Sequence, residues 1–147
     1  MKICLVCSHG GHLTEMIQLM EAFEGHKTFF ITYDPTRTRG LTGRKYLLRN
    51  IGKNPLLMVQ AFLSTLRIML KEKPKLIIST GSEIAIPAFY LARLLRIKTI
   101  FIESWARVIE PSGTGRLVYP VADVFLVQWE RLLTKYGKKA KFEGAII

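Results

Sequence analysis

Acidic residues are scarce in this chain: 11 Asp and Glu stand against 22 Lys and Arg, a net charge of +11 over 147 residues. A surface of that sign disfavours cationic partners and points to an anionic one, whether nucleic acid, a membrane surface or a phosphorylated substrate. Cysteine is nearly absent. Cys4 and Cys7 are the only two, and three steps along a strand put them on opposite faces of a sheet. No disulfide is expected between them, and a reducing cytoplasm suits the chain. Long apolar runs are missing as well. None reaches the roughly 18 residues of a spanning helix, and the opening run at residues 3–7 is too short for a secretory signal. The chain is therefore not expected to be integral to a membrane by itself. Repeats, low-complexity segments and linkers are also lacking, so residues 1–147 read as one domain with one core.

What is present is apolar: 49% of the residues are hydrophobic and the mean hydropathy is +0.20. A chain both basic and apolar fits a membrane surface better than nucleic acid. The organising stretch comes first. An apolar run at residues 3–7 breaks into Ser8-His9-Gly10-Gly11-His12, after which Leu13, Met16, Ile17, Leu19, Met20 and Phe23 recur at helical spacing. That pattern is a buried strand, a glycine turn and a helix. The glycines allow a sharp turn and close approach of backbone N–H groups to a ligand. The helix start behind them favours negative charge. The turn lacks the Gly-Lys-Ser/Thr of a P-loop and does not complete Gly-x-Gly-x-x-Gly.

Further along, strands are expected at 27–33, 46–51, 75–80, 98–103, 123–128 and 141–147. Helices are expected at about 56–73, 84–95, 116–121 and 129–136. Asp34-Pro35 ends the second strand, residues 36–46 read as a long mobile loop, and Pro55 opens the long helix at its first position. Alternating short strands and helices imply an α/β fold, a Rossmann-like parallel sheet with helices on both faces. Ligands of such sheets sit beyond the carboxyl ends of the strands. The turns at 8–12, 80–83 and 103–107 all fall on that edge.

His12 is the first candidate base. Glu103, at the end of an apolar strand, is the second, with an ion pair to Arg107 as its structural alternative. Ser8, Gly10, Gly11, Gly81, Ser82, Glu83 and Arg107 are candidates for holding a phosphorylated ligand. Glu15 reads as a helix cap, and Glu83 complements a helix dipole. Cys7, His9 and His12 lack a fourth metal ligand, so neither metal nor cofactor is expected.

Eight basic residues and no acidic one lie between 35 and 71: Arg37, Arg39, Arg44, Lys45, Arg49, Lys53, Arg67 and Lys71. Gln60, Ser64, Arg67 and Lys71 confine the polar face of the long helix to one stripe. That leaves more apolar surface than a sheet face covers. Leu56, Leu57, Phe62, Leu63 and Leu66, with Arg44 and Lys45, are the expected contact to an anionic membrane; enclosure by a partner protein is the alternative. No nucleic-acid-binding signature is present, and nucleic acid is not expected as a partner.

Four motifs together resemble the Alg14-like family: residues 6–15, 77–87, 101–107 and 122–129, among them Ser8-His9-Gly10-Gly11-His12, Thr80-Gly81-Ser82-Glu83 and Glu103-Ser104-Trp105-Ala106-Arg107. That family supplies the membrane-associated subunit of a two-component UDP-N-acetylglucosamine transferase. Its bacterial relatives act in capsule and exopolysaccharide synthesis. More distantly, the chain resembles the N-terminal half of the GT-B glycosyltransferase MurG.

The resemblance implies an acceptor-side domain, inactive without a separate Alg13-like chain that binds the UDP-sugar. Its acceptor would be a polyprenyl or dolichyl pyrophosphate-linked saccharide, met as a peripheral protein on the cytoplasmic face of a membrane. Gly10, Gly11 and His12 match the family's first glycine loop and Gly81 to Glu83 its second. Glu103 falls where the family has polar residues facing the cleft. The N-terminal spanning helix of eukaryotic members is missing from the sequence. A non-catalytic membrane adaptor that recruits a transferase is the rival reading, and a basic nucleic-acid-binding module a third.

Overall fold

The protein is described from a computed structural model that covers residues 1–33 and 43–146. The expected strand end at Asp34-Pro35, most of the loop at 36–46, Arg37, Arg39 and Ile147 lie outside the described residues. Seven parallel strands form one sheet in the order β3-β2-β1-β4-β5-β6-β7. They are β1 Lys2–Cys7, β2 Lys27–Tyr33, β3 Arg44–Leu48, β4 Leu76–Gly81, β5 Lys98–Ile102, β6 Val124–Val127 and β7 Ala140–Phe142. Among the described residues four α-helices accompany them: α1 Gly11–Gln18, α2 Pro55–Glu72, α3 Ala85–Leu95 and α4 Gly113–Val118.

Alternation along β1 divides the core. Cys4 and Val6 face the layer built by α2, α3 and α4, against Ala61, Ile68, Met69, Ala88, Phe89 and Val118. Ile3, Leu5 and Cys7 face α1, against Leu13 and Met16. The two thiols are thus free and on opposite faces, as the three-residue spacing requires.

The chain starts at the centre of the sheet, runs outward to β3, crosses back to β4 and then runs outward the other way. The direction reverses between β1 and β4, and a crevice opens there at the carboxyl edge of such sheets. A register shift between Val6 and Cys7, where Cys7 pairs with Gly81, marks the point where β1 and β4 separate.

Local chemistry moves several boundaries. Asn54 caps α2, its side chain accepting from Leu56 N at 2.9 Å with Pro55 behind it. The helix expected at 116–121 begins earlier, because Ser112 accepts from the Gly115 N–H at 2.9 Å and starts the turn there. The helix expected at 129–136 is a 3₁₀ turn, Glu130–Thr134. The third strand is Arg44–Leu48 rather than 46–51, and the last closes at Phe142. No described helix is long and apolar enough to cross a membrane.

Candidate functional site

Gly10 has φ 79° and ψ −134°, backbone space essentially reserved for glycine. It ends the turn after β1 and leaves α1 without a side-chain cap. The first N–H groups of α1 therefore lack intrahelical partners and point out of the sheet edge. A Cβ built on Gly10 or Gly11 would meet nothing within 4 Å, so the space over this turn is open. Ser8 is buried beneath it, its hydroxyl donating to the His9 carbonyl at 3.3 Å.

His12 is half-buried at the second position of α1. Its Nδ1 lies 2.9 Å from the Thr80 carbonyl, and the Thr80 hydroxyl donates back to the His12 carbonyl at 2.6 Å. Because a carbonyl only accepts, Nδ1 must carry the proton and Nε2 the lone pair. The imidazole is held in the tautomer a proton acceptor needs.

Gly81 makes this packing possible. With φ +128°, it presents bare backbone to the His12 ring, and a Cβ there would sit 2.7 Å from His12 Cε1 and Nδ1. Gly81→Ala is expected to displace the imidazole, break its bond to Thr80 and lower activity by about 100-fold or more, on the scale of a misplaced catalytic group. Steady-state turnover with the His12 ring signals followed by NMR checks this; an unmoved ring with full turnover contradicts it.

The second turn is also strained. Ser82, not a glycine, has φ 79°, a cost tolerated where the surroundings fix it. Its hydroxyl donates to Glu83 Oε2 at 2.8 Å, and Tyr33 OH donates to Glu83 Oε1 at 2.8 Å. Burial alone would raise the Glu83 carboxyl. Hydrogen bonds from its own N–H, Ser82, Tyr33 and the Gly52 N–H outweigh burial and hold it below the usual glutamate value. Glu83 is thus a charged anchor joining the end of β2 and the segment after β3 to the turn after β4, rather than only a complement to a helix dipole. Burial first, then the bond to Glu83, pushes the Tyr33 phenol well above its ordinary range, so it remains a donor. Beside it His9, edge-on to Tyr33 at 6.4 Å, keeps a buried Nδ1 with no described partner. Burial pushes the Cys7 thiol up to about 12, which keeps it neutral and unsuited to holding a metal with His9 and His12.

Glu103 requires correction. It is 1% exposed and its carboxylate already accepts from Ser104 N at 3.0 Å, Ser112 N at 3.0 Å, Ser112 Oγ at 2.8 Å and Tyr136 OH. With its lone pairs taken and no path to solvent, it organises the exit of β5 and the start of α4 instead of receiving a substrate proton. The alternative ion pair with Arg107 is not seen among the described residues. Arg107 is exposed, on a turn closed by its own N–H donating to Ser104 O at 3.0 Å.

Glu15 does not cap α1. Buried, it accepts from Trp105 N at 2.8 Å and Gln128 Nε2 at 2.5 Å, binding α1 to the loops after β5 and β6. The sequence reading gave no site role to Thr80, which it placed in the second turn, or to Tyr33, although both stand at strand ends on the ligand edge.

Along α2, Leu56 is 74% and Leu63 53% exposed, and Val59 and Leu70 are exposed with them. Leu57 packs instead against the core, and Phe62 and Leu66 are half-buried. Arg44 is exposed where β3 begins, and its Nε pairs with Glu72 Oε2 at 2.8 Å. Lys45 is half-buried on the same strand.

The sheet order, with two glycine turns meeting at the switch point, defines a Rossmann-like domain of the GT-B type. MurG of Acinetobacter baumannii superposes with a TM-score of 0.80 at 18% identity, over 99% of this chain and 45% of its own. The UDP-GlcNAc 2-epimerase of Methanocaldococcus jannaschii does so with 0.78 at 17%, over 99% and 46%. The chain thus spans less than half the length of these structures, and the likeness is one of fold.

Residues 47–146 match the family described as "Oligosaccharide biosynthesis protein Alg14 like". The chain belongs to that family. A relative, the UDP-N-acetylglucosamine transferase subunit ALG14 of Candida albicans, is 28% identical over 173 residues, covering 99% of this chain and 78% of the relative.

Proposed function

We propose that this chain is the acceptor-binding subunit of a two-chain glycosyltransferase, which moves a sugar from a UDP-sugar to a lipid pyrophosphate-linked saccharide. The observation that carries it is His12, fixed through Nδ1 by Thr80 at the mouth of an uncapped helix. The free N–H groups of α1 suit the acceptor's pyrophosphate. The acceptor hydroxyl oxygen attacks the anomeric carbon of the sugar as its proton passes to His12 Nε2. The bond from that carbon to the UDP oxygen breaks, UDP leaves with the electron pair, and the configuration inverts. In this reading a partner chain binds the nucleotide; that the Candida albicans relative is named a transferase subunit supports an assembly of more than one chain.

The same reading places the chain peripherally on the cytoplasmic face of a membrane, through the outward stripe of Leu56, Val59, Leu63 and Leu70. Arg67 and Lys71 are exposed on the same helix, and each cation near anionic lipid is worth about 1 kcal/mol. Burying one leucine contributes about 1.5–3 kcal/mol. Leu63→Asp, which leaves the core intact, is therefore expected to weaken binding to phosphatidylglycerol vesicles by about tenfold or more in co-sedimentation. Unaltered binding would remove α2 from the membrane contact.

The test of the function is transfer from UDP-N-acetylglucosamine to a polyprenyl pyrophosphate saccharide by the mixed chains. Product from the pair but from neither chain alone supports the proposal. Product from this chain unaided refutes it.

A further inference from the structure

Both tryptophans of the chain meet at the ligand edge. Trp105 follows β5 and Trp129 follows β6, with ring centroids 5.6 Å apart and planes tilted by 42°. Trp129 Nε1 donates to the Trp105 carbonyl at 2.6 Å, and the Trp105 N–H donates to Glu15 Oε1 at 2.8 Å. Glu15 is itself buried and stands three residues after His12 on α1, so it lies on the same side of the helix. Trp105 is thereby anchored from both sides, on one of them by a residue a helical turn after His12. The residue is nonetheless 42% exposed, and its indole N–H makes no hydrogen bond among the described residues.

A large ring fixed in place at the ligand edge offers an apolar face to whatever binds beside it. We infer that Trp105 is the stacking platform for the pyranose ring of the acceptor saccharide. The C–H face of a pyranose carries partial positive charge and meets the negative face of an indole favourably. The free indole N–H donates to a ring hydroxyl, and the exposed Arg107, two residues on, supplies charge toward the adjoining pyrophosphate. A single exposed indole matches a single sugar, and Ser104 and Arg107 lie in the same turn. A protein partner would need roughly 800 Å². The inference rests on the saccharide acceptor proposed above and assigns Trp105 the discrimination between sugar-bearing and bare lipid pyrophosphate.

The test uses two probes on the full chain: a short-chain polyprenyl pyrophosphate carrying one N-acetylglucosamine, and the same lipid without the sugar. The Trp105 indole N–H resonance is expected to shift with the first and not with the second. Trp105→Ala is expected to weaken the sugar-bearing probe about tenfold and leave the bare one unchanged, while Trp105→Phe recovers most of the loss. Binding of the bare probe by Trp105→Ala also reports that this variant is folded. Equal affinity of the wild type for both probes, or an equal loss of both in Trp105→Ala, overturns the platform and leaves acceptor binding standing. Binding of neither probe removes the proposed function and the platform with it.

Discussion

Replacing His12 with alanine is expected to lower the turnover of the reconstituted pair by about 10²–10⁴-fold, the usual contribution of a positioned proton acceptor. The fold should not suffer. His12 is half-buried, and the hydrogen bond it loses, from Nδ1 to the Thr80 carbonyl at 2.9 Å, is made at the protein's surface edge. Water can replace it there at a net cost of about 1 kcal/mol. Acceptor affinity should fall little, since the N–H groups of α1 remain. His12→Gln, which can still reach Thr80 but takes up no proton, should be as slow as alanine. Full turnover in both variants would instead make the chain an adaptor that only recruits the transferase.

Glu103 should give the opposite result, a loss of stability before any loss of chemistry. Glu103→Ala strands the Ser104 and Ser112 N–H groups, the Ser112 hydroxyl and the Tyr136 hydroxyl around a buried gap. Each buried, unpaired donor costs about 1–3 kcal/mol. Removing the buried charge returns part of that, so a net loss of about 3–5 kcal/mol is expected. For a chain of this size, each kcal/mol moves Tm by about 2–4 °C. Thermal unfolding by circular dichroism should therefore fall by about 6–20 °C. Gly115→Ala should fall in the same direction, because its Cβ would press on the same Tyr136 and Glu103 oxygens and lie 2.9 Å from Ser112 Oγ. An unchanged Tm with abolished turnover in Glu103→Ala would restore Glu103 as a base.

The contrast between these two residues marks what the sequence could carry. The parallel sheet and its switch point were legible because short buried strands, glycine turns and helical periods are local patterns. The position of His12 on the ligand edge followed from the first turn; its role as a base is the proposal. Glu103 stood in an equally suggestive place, at a strand's carboxyl end. Its partners Ser112 and Tyr136 lie 9 and 33 residues away, and only the crossovers bring them together. The same holds for Glu15, whose acceptor role toward Gln128 spans 113 residues.

In α2, the surplus of apolar surface could be read but not its rotation. Leu57 packs on the core while Val59 and Leu70 face out, a phase set by the sheet and not by the helix. Gly81 was read as a turn-former for phosphate. Its larger effect is to leave room for an imidazole 69 residues earlier in the chain, which no local pattern signals.

The most direct measurement is single-turnover transfer from UDP-N-acetylglucosamine to a polyprenyl pyrophosphate saccharide, with wild-type and His12→Ala forms of this chain each mixed with the nucleotide-binding partner. The wild-type pair should form product, the His12→Ala pair should form it at least 100-fold more slowly with the acceptor still bound, and neither chain should work alone. Product from this chain without a partner, or an undiminished rate in the His12→Ala pair, would contradict the assignment of an acceptor-side half-site built around His12.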